Sequence, residues 1–199
     1  MAKAGIVYVG TSDGLVIYSD PGGIGRWRRV GHALEGQAIS AISAADALTL
    51  TLRVERQTAQ YSEDGGRSFA PLEGDGPAPT GLQVATAHGA VDQVYPRLLG
   101  ASAFGRLEGK QPVVIAAAAG GTMFFRSEDD GIHWQPAGLE GELSIGKVNV
   151  IAPASYDMDS AWAGTAAGEL LRSDDRGRSW AVIAREAAAI LSLAVVRLV

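Results

Sequence analysis

Apolar residues in this chain come in short runs, each broken by glycine, aspartate or serine. Ile6-Val7-Tyr8-Val9, Leu15-Val16-Ile17-Tyr18, Met123-Phe124-Phe125 and Leu170-Leu171 read as strands bounded by turns. Leu50-Thr51-Leu52-Arg53-Val54-Glu55 alternates apolar and polar, the period of a half-buried strand. Ala38–Ile42, Gln83–Thr86, Lys147–Ile151 and Ile190–Val196 are apolar and β-branched enough to be buried strands, expected innermost in their sheets. The Glu-Ala-rich piece Arg185–Ala189 precedes the last strand and reads as a connector. The pattern predicts an all-β chain of hairpins.

The turns between these runs repeat. Ser-x-Asp-x-Gly-x-x-aromatic occurs at Ser62–Phe69, Ser127–Trp134 and Ser173–Trp180, and a damaged copy spans Ser19–Trp27 with Pro21 at the Asp position. Each glycine (Gly66, Gly131, Gly177) supplies the positive φ of a tight turn. Each aspartate (Asp64, Asp129, Asp175) is a short acceptor for free turn N–H groups, helped by the hydroxyl of Ser62, Ser127 or Ser173. Phe69, Trp134 and Trp180 then open the following strand and bury a large apolar area. The residues are expected to be structural, because an active site needs one constellation rather than a recurring one. The serines fall at 19, 62, 127 and 173, separations of 43, 65 and 46. Two of these match a four-stranded repeat of about 40–50 residues, and the middle one carries an insertion.

These turns resemble the Asp-box, or BNR, repeats of sialidases, sortilin-type receptors, oligoxyloglucan hydrolases and photosystem II assembly factors. The resemblance implies a β-propeller whose boxes sit on the outer turns of the blades, away from the central channel. The expectation is one domain, residues 1–199, of about four four-stranded blades, at 6–30 plus 187–199, 37–73, 81–137 and 145–184. Because the chain starts inside a blade and ends on an innermost-type strand, the C-terminal strand is expected to pair with the N-terminal blade and close the ring. A closed monomer and a homodimer sharing strands both fit.

Composition narrows the function. A formal charge of −5 with interspersed signs points away from nucleic acid and from an anionic membrane surface. There is no cysteine, so disulfide and thiolate chemistry are out. The start Met1-Ala2-Lys3-Ala4-Gly5 leads straight into a strand without an apolar leader, and Ala187–Val196 is too short to span a bilayer, so a cytoplasmic location is expected.

The histidines, at 32, 88 and 133, lack metal-type spacing, and no phosphate loop, Rossmann fingerprint or Ser-His-Asp order is present. No cofactor, metal or catalytic residue is expected. Sialidase chemistry would need three converging arginines and a tyrosine nucleophile; Arg53, Arg97 and Arg106 are not spaced to supply the first. The candidate binding loop is the insertion at about 88–112, where Tyr95, Arg97, Phe104 and Arg106 have the aromatic-plus-arginine character of interface anchors. An extra strand pair completing the third blade accounts for the same segment. The expected function is a non-enzymatic protein-binding or assembly scaffold. The alternative is a carbohydrate-active protein with sugar over the channel.

Overall fold

The computed structural model describes residues 4–74, 76–77, 85–86, 89–90, 103–118, 120, 122–139 and 144–198, and these are all-β, without helix. Among the described residues, four antiparallel four-stranded meanders and one short hairpin make up the fold. The first joins the two ends of the chain: β1 (Gly5–Thr11), β2 (Gly14–Asp20) and β3 (Arg28–Ala33) line up behind β18 (Ile190–Arg197), in the order β18-β1-β2-β3. The second is β4 (Ile39–Ala44), β5 (Leu50–Val54), β6 (Gln60–Ser62) and β7 (Ala70–Pro71). A two-residue hairpin follows, β8 (Ala85–Thr86) with β9 (Gly89–Ala90). The third meander is β10 (Ala103–Leu107), β11 (Val113–Ala117), β12 (Phe124–Ser127) and β13 (Gln135–Leu139). The fourth is β14 (Val148–Ala154), β15 (Asp157–Thr165), β16 (Glu169–Ser173) and β17 (Ser179–Arg185).

Two expectations are corrected here. The third and fourth meanders are not separate sheets. They fuse along their outer strands into one mixed eight-stranded sheet, because β13 and β17 pair in parallel through Gly138↔Ser179 and Leu139↔Trp180. Gly138 N–H donates to Arg178 O at 2.8 Å, and Glu128 bridges Arg126 and Arg178 across the same junction at 2.6 and 2.8 Å. The first strand of the third meander is also not Gln83–Thr86 but β10. Its Gly105 and Arg106 dilute the apolar run, which hid it from pattern reading. Gly105 is needed there, since a methyl group would fall 2.5 Å from Ile151 Cγ2 of β14.

The four first strands adjoin in the order β4, β18, β14, β10. Neighbouring meanders bury apolar faces against each other, and this explains why several strands read as continuous apolar runs. In β1, Tyr8 faces Ile39, Leu50 and Leu52 of the second meander, whereas Val7 and Val9 face Trp162 and Leu170 of the fourth. In β2, Leu15 and Ile17 take the first side, Val16 and Tyr18 the second. Between the third and fourth meanders lie Ile115, Phe124, Ile151, Leu171 and Trp180. Each such side chain contributes about 1.5–3 kcal/mol of burial.

Candidate functional site

The three repeated turns have one hydrogen-bond plan. Ser62 Oγ donates to Asp64 Oδ1 at 2.8 Å and accepts Gly66 N–H at 2.9 Å; Ser127 and Ser173 do the same for Asp129/Gly131 and Asp175/Gly177, all at 2.8 Å. The aspartate Oδ1 then accepts backbone N–H groups beyond the turn: Arg67 and Ser68 for Asp64, His133 for Asp129, and Arg178 and Ser179 for Asp175. Its Oδ2 takes a side chain, from Ser68, His133 or Ser179, at 2.6, 2.6 and 2.7 Å. The residue before each glycine also has positive φ: Gly65 at 75°, Asp130 at 57° and Arg176 at 61°. In the damaged first copy Asp20, one residue early, takes over the acceptor role, with Gly25 N–H on its Oδ2 at 2.6 Å.

This bonding fixes the charge state. The Ser68 hydroxyl and N–H hold the Asp64 carboxyl well below the usual carboxylate range. At Asp175 burial opposes the shift, but the Ser179 and Ser173 bonds outweigh it and the net direction is also down. The ionised carboxylates therefore contribute stability above an unfolded value of about 4, and this is lost as pH falls through the lower folded value. We expect Asp175→Ala to cost about 0.5–2 kcal/mol by analogy with lost helix caps. Its deficit relative to the unsubstituted chain should shrink as urea midpoints are measured from about pH 5 down to about pH 2. A deficit that grew on acidification would contradict this assignment.

The turn residues do not gather into one cleft. The aromatics of the three copies pack into three different apolar layers: Phe69 against the first–second interface, Trp180 on Phe124 with ring centroids 4.3 Å apart, and Trp134 beside Phe104, Val114 and Ala116. Trp27, from the damaged copy, meets Trp162 edge-on at 4.6 Å, and the Arg172 guanidinium lies 5.5 and 5.6 Å from the two ring centres. Sequence reading missed this cluster, for Arg172 sits in an ordinary strand and meets Trp27 only through the fold.

Of the insertion residues, Tyr95 and Arg97 lie outside the described residues. Phe104 is buried in β10, and Arg106 on the same strand pairs with Asp130 and Glu108. Arg53, on a different sheet, donates to Pro77 O at 2.9 Å. Asp174 pairs with Arg172 at 2.5 Å and accepts from Ser160. Among the described residues no group of three or more His, Cys, Asp or Glu is placed to hold a metal ion.

A cleft of about 870 Å³ does open elsewhere, between β3 and the Ser62–Phe69 turn. Its floor is apolar, formed by Ile6, Ile17, Gly31 and Ala33, with Val30 and Leu48 exposed at its walls (60% and 56%). Asp46, Glu63, Asp64, Arg67 and His32 supply the polar rim. Local bonds make it rigid. The buried Tyr8, whose hydroxyl is pushed up to about 12 by burial and by Asp46, donates to Ala47 O at 2.7 Å. Gly65 N–H donates to Leu48 O at 2.9 Å, and Asp46 Oδ1 accepts Leu48 and Thr49 N–H at 2.7 and 2.8 Å. His32 Nε2 lies 2.8 Å from Asp13 O. Sequence offered no signal for this cleft, since Val30 and Leu48 are isolated apolar residues in polar segments.

No protein-family model and no curated protein sequence matches the chain. Solved structures resemble it distantly. An ancestral GH74 enzyme is 16% identical, with 90% of this chain aligned to 22% of that one at a TM-score of 0.38. PorZ, a surface component of the type-IX secretion system of Porphyromonas gingivalis, is 12% identical over 92% of this chain and 28% of its own, also at 0.38. YCF48 bound to D1 peptide is 14% identical over 91% and 81%, at 0.29. The chain thus spans about a quarter of the length of the GH74 enzyme and PorZ. These likenesses assign it no activity, ligand or partner.

Proposed function

We propose that this chain is a non-enzymatic scaffold of the Asp-box type, closed on itself by pairing of its two ends within one chain, which binds a protein partner at the β3 cleft. The observation that carries the reading is the pair of exposed aliphatic walls, Val30 and Leu48, over an apolar floor. Such a surface is a site of association more than of chemistry. The rim carboxylates support it, for Asp46 and Asp64 are already engaged by backbone N–H groups and held ionised, which suits recognition and not proton transfer. Pairing of β18 with β1 inside one chain supports closure without a second copy.

A photo-crosslinking amino acid at position 48, compared with one at the exposed Met158, tests this in cells of the source organism. We expect a discrete protein adduct from position 48 alone. Equal adducts from both positions, or oligosaccharides raising Tm while position 48 captures no protein, would overturn the scaffold reading in favour of a sugar binder.

A further inference from the structure

The outer strands of the four meanders differ in how their free edges are protected. Unpaired edges invite strand addition, and folded proteins blunt them with proline, charge, brevity or cover. Strand β7 is two residues long and ends in Pro71. Strands β13 and β17 cover each other, so an outer edge of this fold does accept a further strand. Strand β3 is six residues long and, among the described residues, pairs with β2 alone. Arg28 and Arg29 guard its start, but the remaining Val30-Gly31-His32-Ala33 carries no fixed charge. That remainder lines the cleft, and Arg28 and Arg29 do not.

We propose that the cleft takes an extended peptide segment that adds as a strand to the free edge of β3, with an aliphatic residue and a lysine or arginine two positions apart. This rests on the scaffold reading and specifies its partner. Backbone pairing along β3 would supply affinity, and alternate side chains would enter the cleft. Residues i and i+2 of a strand face the same way, about 7 Å apart. One of them meets the apolar floor, where the Ile17 side chain packs directly on Gly31; a methyl group on Gly31 would come within 3.2 Å of Ile17 Cδ1. The next reaches a rim holding Asp46, Glu63 and Asp64 against the single fixed cation Arg67. Glu63 is exposed, and the rim's net negative charge selects a cationic side chain.

The test uses the intact chain and two fluorescent octapeptides, one centred on Val-Ser-Lys and one on Val-Ser-Glu, read by anisotropy at low salt. We expect the lysine peptide to bind about tenfold more tightly, the equivalent of one favourable charged contact. The substitution Glu63→Lys should erase that preference with unchanged Tm. Gly31→Val, which fills the floor, should weaken both peptides. N-methylation of one alternating set of peptide amides should abolish binding and methylation of the other set should not, a pattern only strand pairing produces. Equal affinity for the two peptides, indifference to N-methylation, or binding of neither overturns the proposal. If neither peptide binds while position 48 still captures a protein, strand addition fails and the scaffold reading stands.

Discussion

Ending the chain after Ala189 should abolish cooperative unfolding altogether. The lost strand β18 is the ladder partner of β1 from Gly5↔Arg197 to Thr11↔Ile190. Its Ile190, Leu193 and Val195 enter the apolar layer shared with the fourth meander, and Val196 enters the layer shared with the second. Ser192 Oγ donates to Ile39 O at 2.8 Å, tying β18 to β4. Four buried aliphatic side chains at about 1.5–3 kcal/mol each amount to roughly the whole stability of a domain, about 5–15 kcal/mol. The shortened chain should show no sigmoidal thermal transition by circular dichroism, and a peptide spanning 190–199 added in trans should restore one. A cooperative melt in the shortened chain without the peptide would show that the ends do not hold the fold together.

Trp180→Ala should be the most damaging single substitution. Trp180 is buried in the layer between the third and fourth meanders and stacks on Phe124 at an interplanar angle of 11°. It also sits at the fused edge, where Leu139 of β13 pairs with it. Removing an indole from a packed layer costs about 3–5 kcal/mol. Trp180→Phe keeps the stack, and Trp180 Nε1 makes no hydrogen bond whose loss would add to the cost. Phenylalanine should therefore cost about 1–2 kcal/mol. Urea midpoints at constant m-value separate the two. Equal losses for alanine and phenylalanine would mean that ring stacking contributes nothing beyond shape.

The sequence carried the strands and turns well where local chemistry decides them. Ser62, Asp64 and Gly66 specify a turn through bonds no more than six residues apart, so the turn is legible wherever those residues stand in register. The same reading went wrong where a distant partner decides. Gln83–Thr86 carries the β-branched Val84 and Thr86 and Ala103–Leu107 carries none, yet the strand adjoining β14 is β10, where Gly105 fits against Ile151. Asp20 was passed over as a turn acceptor because it precedes the expected position by one residue, and only the path of the chain to Gly25 shows its use. For Phe104 and Arg106 two readings stood open, loop anchors or members of an extra strand pair, and both residues lie in β10, which pairs with β11. Val30 and Leu48 belong to segments far apart in sequence, and neither residue is remarkable alone.

What the amino-acid order settled by itself is the all-β character and the repeated self-bonded turns, which follow from periodicity and short-range bonding, and the partnership of the chain's two ends, which follows from the phase of the repeat. What folding decided is which edges stay open. Fusion of β13 with β17 and exposure of β3 beside an apolar cleft depend on how meanders approach one another, and that approach is set by residues such as Gly138, Gly31 and Leu48, whose meaning arises only from what lies across from them.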